Sequence, residues 1–119
     1  METKFQVQVR EFHRGIVLDL EGDLNKQSEE ALLRLRNWEE GLGTGRDMLV
    51  LNFTKVPYIN SVGIALLIRI VRAGLKAPYQ SFAYGISPHY QKLFRIVGLT
   101  EHMMIYHDEY AVMQRIKAL

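Results

Sequence analysis

The stretch MLVLNFTKVPYINSVGIALLIRIVRAGL, Met48 to Leu75, decides how this chain folds. Its opening, MLVLNFTKV, is nearly continuous apolar sequence, the pattern of a strand buried on both faces. Its close is helical in period. Ile64, Leu67, Ile68, Val71 and Leu75 recur at three- and four-residue steps and are expected to face a sheet. Val62, Leu66, Arg69 and Ala73 then fall on the opposite side of the same helix. Between the two lies PYIN, followed by one small hydroxyl, Ser61, with Gly63 two residues on.

Outward from this unit, the N-terminal side reads as two strands. KFQVQVREF alternates Phe5, Val7 and Val9 against Lys4, Gln6 and Gln8, a half-buried strand. GIVLDLEGDL sets Ile16, Leu18 and Leu20 on one side, and His13, Arg14 and Gly15 suit the hairpin turn between the two. From Ser28 to about Leu42 the period becomes helical through Ala31, Leu35, Trp38 and Leu42, with Ser28 as the expected cap. GLGTGRD then breaks that helix. On the C-terminal side, YQSFAYGI reads as a strand and Ser87-Pro88 as a helix start, since proline fits the first helical position. That helix ends near Gly98. MMIYH follows as a last strand, and Asp108 caps a closing helix that carries Val112, Ile116 and Leu119.

Strands alternating with helices after the first hairpin imply parallel, right-handed crossovers. The fold expected is α/β, a single domain over residues 1–119 with a mixed sheet of four to five strands and about four helices.

Composition narrows the function. The chain has no cysteine, which removes disulfides, thiolate nucleophiles and cysteine zinc sites. No run reaches the roughly 18 to 20 apolar residues of a membrane span, and METKFQVQVR alternates where a secretory leader would carry an apolar block. A cytoplasmic location without membrane insertion is expected. The formal charge is +2, and Arg69, Arg72 and Lys76 at helical spacing read as a solvated flank. No basic face with stacking aromatics marks direct nucleic-acid binding.

Ser61 ends a strand and its extension and opens a helix, the place where open α/β sheets gather functional groups. One reading makes it the helix cap. A nucleophile elbow needs G-x-S-x-G, and Ile59 replaces the first glycine. GLGTGR lacks the lysine of a phosphate loop and precedes its strand instead of following it. His102 and His107 bracket a strand beside Asp108 without a recognised metal-ligand spacing. The chain is expected to be no enzyme and to need no cofactor or metal. An apolar patch beside a phosphorylatable hydroxyl makes a protein-docking surface instead.

Three stretches together resemble the STAS domain of bacterial anti-sigma factor antagonists. VLDLEGDLN is similar to the family's second strand, LVLNFTKVPYINSVGIALLIRIVRAG to its central strand, loop and helix, and LFRIVGLTEHMMIYHDEYAVM to its closing elements. The resemblance implies that Ser61 is the phospho-acceptor of a serine kinase that is itself the anti-sigma factor. The unphosphorylated domain would bind that kinase, releasing a sigma factor, and a serine phosphatase would reset it. Gly63 matches the family glycine. Asn60 stands where the family has aspartate, and Val62 where it has serine or threonine, which changes the charge beside the acceptor. The alternative is a non-phosphorylated STAS subunit of a membrane transport complex or signalling scaffold. The partner surface implied is Tyr58, Ile59, Asn60, Ser61, Val62, Gly63, Leu66 and Arg69, joined by Asp23, Leu24 and Asn25 if that strand end lies alongside.

Overall fold

Among the described residues, five strands form one sheet in the order β1-β2-β3-β4-β5. They are β1 (Gln6–Phe12), β2 (Gly15–Glu21), β3 (Met48–Lys55), β4 (Gln80–Tyr84) and β5 (Met103–Tyr106). β1 and β2 form the expected antiparallel hairpin, and every later neighbour is parallel. The helices are α1 (Lys26–Leu35), α2 (Ser61–Ala73), α3 (Pro88–Ile96) and α4 (Glu109–Lys117). This computed structural model describes residues 4–119. Met1 to Thr3, which both the single-domain reading and the N-terminal pattern include, lie outside the described residues.

The sheet is covered unequally. On one face Ile16, Leu18, Leu20, Leu49, Leu51 and Phe53 meet Leu32 of α1, Leu66, Leu67, Ile70 and Val71 of α2, and Phe94 of α3. On the other, Val17, Met48, Val50, Phe82 and Tyr84 meet a single helix, α4, through Val112, Ile116 and the partly buried Met113. β3 therefore sits between two packed layers, as its unbroken apolar run requires. β1 is an edge strand, and its Val9 is 40% exposed, more open than a half-buried strand implies.

Three local expectations change. The first helix starts one residue after Asn25, whose side chain accepts from the backbone amides of Gln27 and Ser28, while the Ser28 hydroxyl lies within 2.6 Å of the Asn25 amide. Ser28 is thus the buried third residue of a capping box, and Asn25 is the cap. This helix stops at Leu35. Asn37 restarts the chain as a separate 3-10 turn over Trp38–Glu40, accepting from the Glu39 amide, and the Trp38 indole donates back to the Leu32 carbonyl at 2.9 Å. Leu35 and Leu119 are exposed, so neither belongs to the apolar stripe assigned to it.

α4 is fastened to the sheet by a polar clasp at the end of its face. Arg10 of β1 donates to both oxygens of Asp19, at 2.6 and 2.9 Å, and reaches both oxygens of Glu109 at the start of α4. Tyr84 donates to Glu109 at 2.7 Å, and Asn52 donates to Asp19 at 2.8 Å. The Arg10 guanidinium holds the carboxyls of Asp19 and Glu109 below their ordinary values. Burial, with Glu109 beside it, pushes the Tyr84 phenol up, so it stays a donor.

A carboxyl whose pKa is depressed by folding contributes stability above its unfolded value and loses it as pH falls through its folded value. The stability advantage of the parent over Arg10→Gln should therefore be constant above about pH 5 and shrink steadily on acidification. Urea midpoints of both proteins across that range check this; a difference that does not change with pH would remove the clasp from the acid response.

Candidate functional site

The site forms where two chain segments leave the sheet side by side. Beyond β2, Gly22 adopts φ +104°, a conformation that favours glycine, and its amide donates to the Lys55 carbonyl at 3.0 Å. Leu24 then forms an isolated parallel bridge with Ile59. The Leu24 amide donates to the Tyr58 carbonyl at 2.9 Å, and the Asn60 amide donates to the Leu24 carbonyl at 3.1 Å. So the GDLN strand end does lie alongside the loop before α2, as the sequence reading required. From the other side, the Ile59 amide donates to the Tyr90 hydroxyl of α3 at 2.9 Å.

α2 begins on top of this bridge. Its cap is Asn60, whose side-chain oxygen accepts from the Gly63 amide at 3.0 Å. Ser61, expected to open the helix as its cap, is the first helical residue instead. The difference is one position, and it matters chemically. With Asn60 satisfying the helix end, Ser61 is exposed, and its hydroxyl makes no hydrogen bond to the described residues. Gly63 is buried against the strand extension. A Cβ built there would stand 2.5 Å from the Leu24 carbonyl oxygen, so only glycine lets α2 start this close.

The structure divides the expected docking residues into two groups. Tyr58 (54% exposed), Ser61, Arg69 and Asp23 are exposed, and Asn60, Val62 and Asn25 are partly so. Leu66 is 1% exposed and packs on the sheet, which corrects its placement on the partner face. Leu24, Ile59 and Gly63 are buried too, and they hold the loop without presenting side chains to a partner. The face of α2 turned to the sheet is Gly63, Leu66, Leu67, Ile70 and Val71. Ile64 and Ile68 are half-buried at its margin, and Leu75, beyond the helix, is 58% exposed. The helix is apolar nearly all round, so periodicity alone set its phase about one residue off.

Beside the loop runs an open groove of about 710 Å³ lined by residues including Asp23, Lys26, Lys55, Pro57 and Asn60. Lys26 and Lys55 face Glu21 and Asp23 across this groove, so its charged lining is balanced; sequence reasoning singled out neither lysine. Among the described residues no cluster of His, Asp and Glu is placed to hold a metal ion. Asp108, between the two candidate histidines and α4, is occupied as that helix's cap, accepting from the Ala111 amide at 2.9 Å. No described helix is long and apolar enough to cross a membrane.

Comparison with known proteins agrees with the fold. The family model described as STAS domain matches residues 6–111. No curated protein matches the sequence. An anti-sigma factor antagonist from Mycobacterium paratuberculosis superposes with TM-score 0.77 at 14% identity, over 98% of this chain and 99% of that one. The Bacillus cell fate determinant SpoIIAA in its phosphorylated form gives 0.70 at 20% identity, over 94% and 98%. The STAS domain of a SulP transporter from Vibrio cholerae gives 0.63 at 17% identity, over 85% and 82%. At these identities the likeness is one of fold.

The packing at the α2 start yields a sign test. At an open helical position, Gly→Ala gains up to about 1 kcal/mol. Gly63→Ala should instead cost about 1–3 kcal/mol, because the new methyl meets backbone. Asn60→Ala should lose about 1 kcal/mol, and Asn60→Asp should retain the cap. Leu66→Ala should lose about 2–5 kcal/mol as a core truncation. Urea unfolding of the four variants measures all of this; a stabilised Gly63→Ala would disprove the close approach.

Proposed function

Because this chain belongs to the STAS domain family, we propose that it is an anti-sigma factor antagonist controlled through Ser61. In this reading its partner is an anti-sigma factor that is also a serine kinase. The unphosphorylated domain docks on that partner, a sigma factor is released, phosphorylation of Ser61 ends the complex, and a serine phosphatase restores it. The domain acts as a kinase substrate and binding module in the cytoplasm, and performs no chemistry itself.

One observation carries the reading. Ser61 is an exposed hydroxyl at the N-terminal end of α2, relieved of capping by Asn60. A phosphoryl group there would add about −1.5 to −2 charges and three acceptor oxygens. The positive end of α2 accommodates those charges within the domain. A partner seated on the same surface responds differently. Burying that charge against an apolar or acidic face costs several kcal/mol, and about 5.5 kcal/mol inverts a 99:1 equilibrium. One modification can therefore dissociate a complex while the fold stays intact.

The docking surface proposed is Asp23, Asn25, Tyr58, Asn60, Ser61, Val62 and Arg69. It omits Leu24, Ile59, Gly63 and Leu66, which are buried. The neutral Asn60 keeps the capping bond and lacks the acid found in the family, so the unmodified surface carries one negative charge fewer.

Ser61→Asp should weaken binding of the cognate anti-sigma factor by at least about tenfold, equivalent to about 1.4 kcal/mol, and Ser61→Ala should preserve it. Titration calorimetry reads the difference. Equal affinities would refute the electrostatic switch. Phosphate on the Ser61 peptide in protein recovered from its own cells would support it, and a protein never modified there would favour the scaffold alternative.

A further inference from the structure

A second charged surface lies on the same helix, away from the Ser61 loop. The end of α1 and the last turns of α2 enclose an open groove of about 440 Å³, with Leu33 and Ala73 as apolar lining and Arg34, Arg36 and Arg69 as cations. Glu39 is the one acid in that lining. Three guanidinia against one carboxylate leave two positive charges, as many as the net charge of the whole chain.

These arginines are not used up by the fold. The ion pairs among the described residues involve Arg10, Arg14 and Arg46. Arg36 is oriented by a 3.1 Å bond from one nitrogen to the Gly41 carbonyl and by its position 5.8 Å over the Trp38 ring, which leaves its other donors free. Arg34 lies in the last turn of α1, where a cation suits the helix dipole. That accounts for its sign but not for Arg69, which approaches from the exposed side of a different helix.

We infer that this groove receives an acidic segment of a protein partner, its carboxylates paired with Arg34, Arg36 and Arg69 and its apolar side chains on Leu33 and Ala73. The groove is open, and α1 and α2 both present their C-terminal halves to it. Helix C-termini carry partial negative charge and disfavour a compact anion seated directly upon them. Carboxylates spread along a segment meet the guanidinia at arm's length, with bidentate geometry open to each. An apolar lining with a cationic rim matches an amphipathic acidic surface better than a free phosphate or a nucleic-acid backbone.

The inference rests on the docking reading above and deepens it. Ser61, Ala65 and Arg69 follow one another at four-residue steps along the exposed side of α2, so the two positions are separated by roughly 12 Å of rise along the helix axis. An acidic partner laid along that side is held at Arg69 and repelled at phosphorylated Ser61. The sign of the switch then follows from the partner's own charge.

Trp38 is the chain's single tryptophan and lines the groove, so its fluorescence reports occupancy. The probe is a tryptophan-free amphipathic peptide with glutamates along one face, titrated into the full-length domain at low salt. The Arg34→Glu/Arg69→Glu pair leaves Arg36 and its structural bond in place. It should weaken binding about tenfold or more, while the melting temperature falls only slightly, because Arg34→Glu sets an acid against the negative end of α1. Arg115→Glu on α4 should have no effect, and added salt should weaken the parent. An equal loss in Arg115→Glu, equal binding of a lysine-rich peptide, or tighter occupancy by pyrophosphate or a single-stranded oligonucleotide would overturn the acidic-segment assignment. The two readings fail separately. Peptide binding indifferent to the arginine pair refutes the groove and leaves the Ser61 switch standing. Binding that needs the arginines, with calorimetry on the cognate partner indifferent to Ser61→Asp, refutes the switch and leaves the groove.

Discussion

The contact between Gly63 and the Leu24 carbonyl is the constraint on which the rest of this molecule's surface depends. Two parallel strands, β2 and β3, leave the sheet together, and their extensions pair once more through Leu24 and Ile59 before the chain turns into α2. A side chain at position 63 would hold the helix off that pair. With hydrogen in its place, the helix starts against the backbone, Asn60 closes its end, and Ser61 has nowhere to turn but outward. The exposed hydroxyl is thus a product of close packing beneath it.

Much of this was legible in the chain, for identifiable reasons. β3 announced itself because both its faces are buried, so no polar residue interrupts Met48 to Leu51. Ser87-Pro88 and Asp108 were read correctly as helix starts because their caps are specified by local chemistry. The rotation of α2 was not legible. Val62, Ile64, Leu66, Leu67, Ile68, Ile70 and Val71 surround the helix, and the position actually pressed against backbone is a glycine, which carries no hydrophobic signal. The end of α1 was misread for a related reason. Leu35 and Trp38 continue the spacing of one helix, yet Asn37 serves as a cap and Trp38 folds back on Leu32.

At the candidate site the structure exchanges the capping roles expected of two adjacent residues. Ser61 and Asn60 are adjacent, and both are good caps, so sequence could not decide which accepts the helix amide. Geometry assigns that bond to Asn60 and leaves the serine unengaged. Leu66 is the larger correction, because an apolar residue at the surface and one in the core look alike in a helix with no polar face. The lysines at positions 26 and 55 and the Arg34–Arg36–Arg69 groove come from segments far apart in sequence, and only the packing of α1 beside α2 and of β2 beside β3 brings them together.

How the loop is held determines where a signal can be read. Tyr58, Ile59 and Asn60 are bound by the Leu24 amide, the Tyr90 hydroxyl and the Leu24 carbonyl, so three successive residues are fixed from two sides. Charge added at Ser61 finds no internal partner to displace, since its hydroxyl makes no bond within the described domain. It therefore has little means of moving the core through the loop. In a site built this way, discrimination between the two states of the serine belongs to whatever touches the surface. On the function proposed, the partner carries the sensitivity in its own charge, and the basic groove farther along α2 is the complementary contact inferred for it.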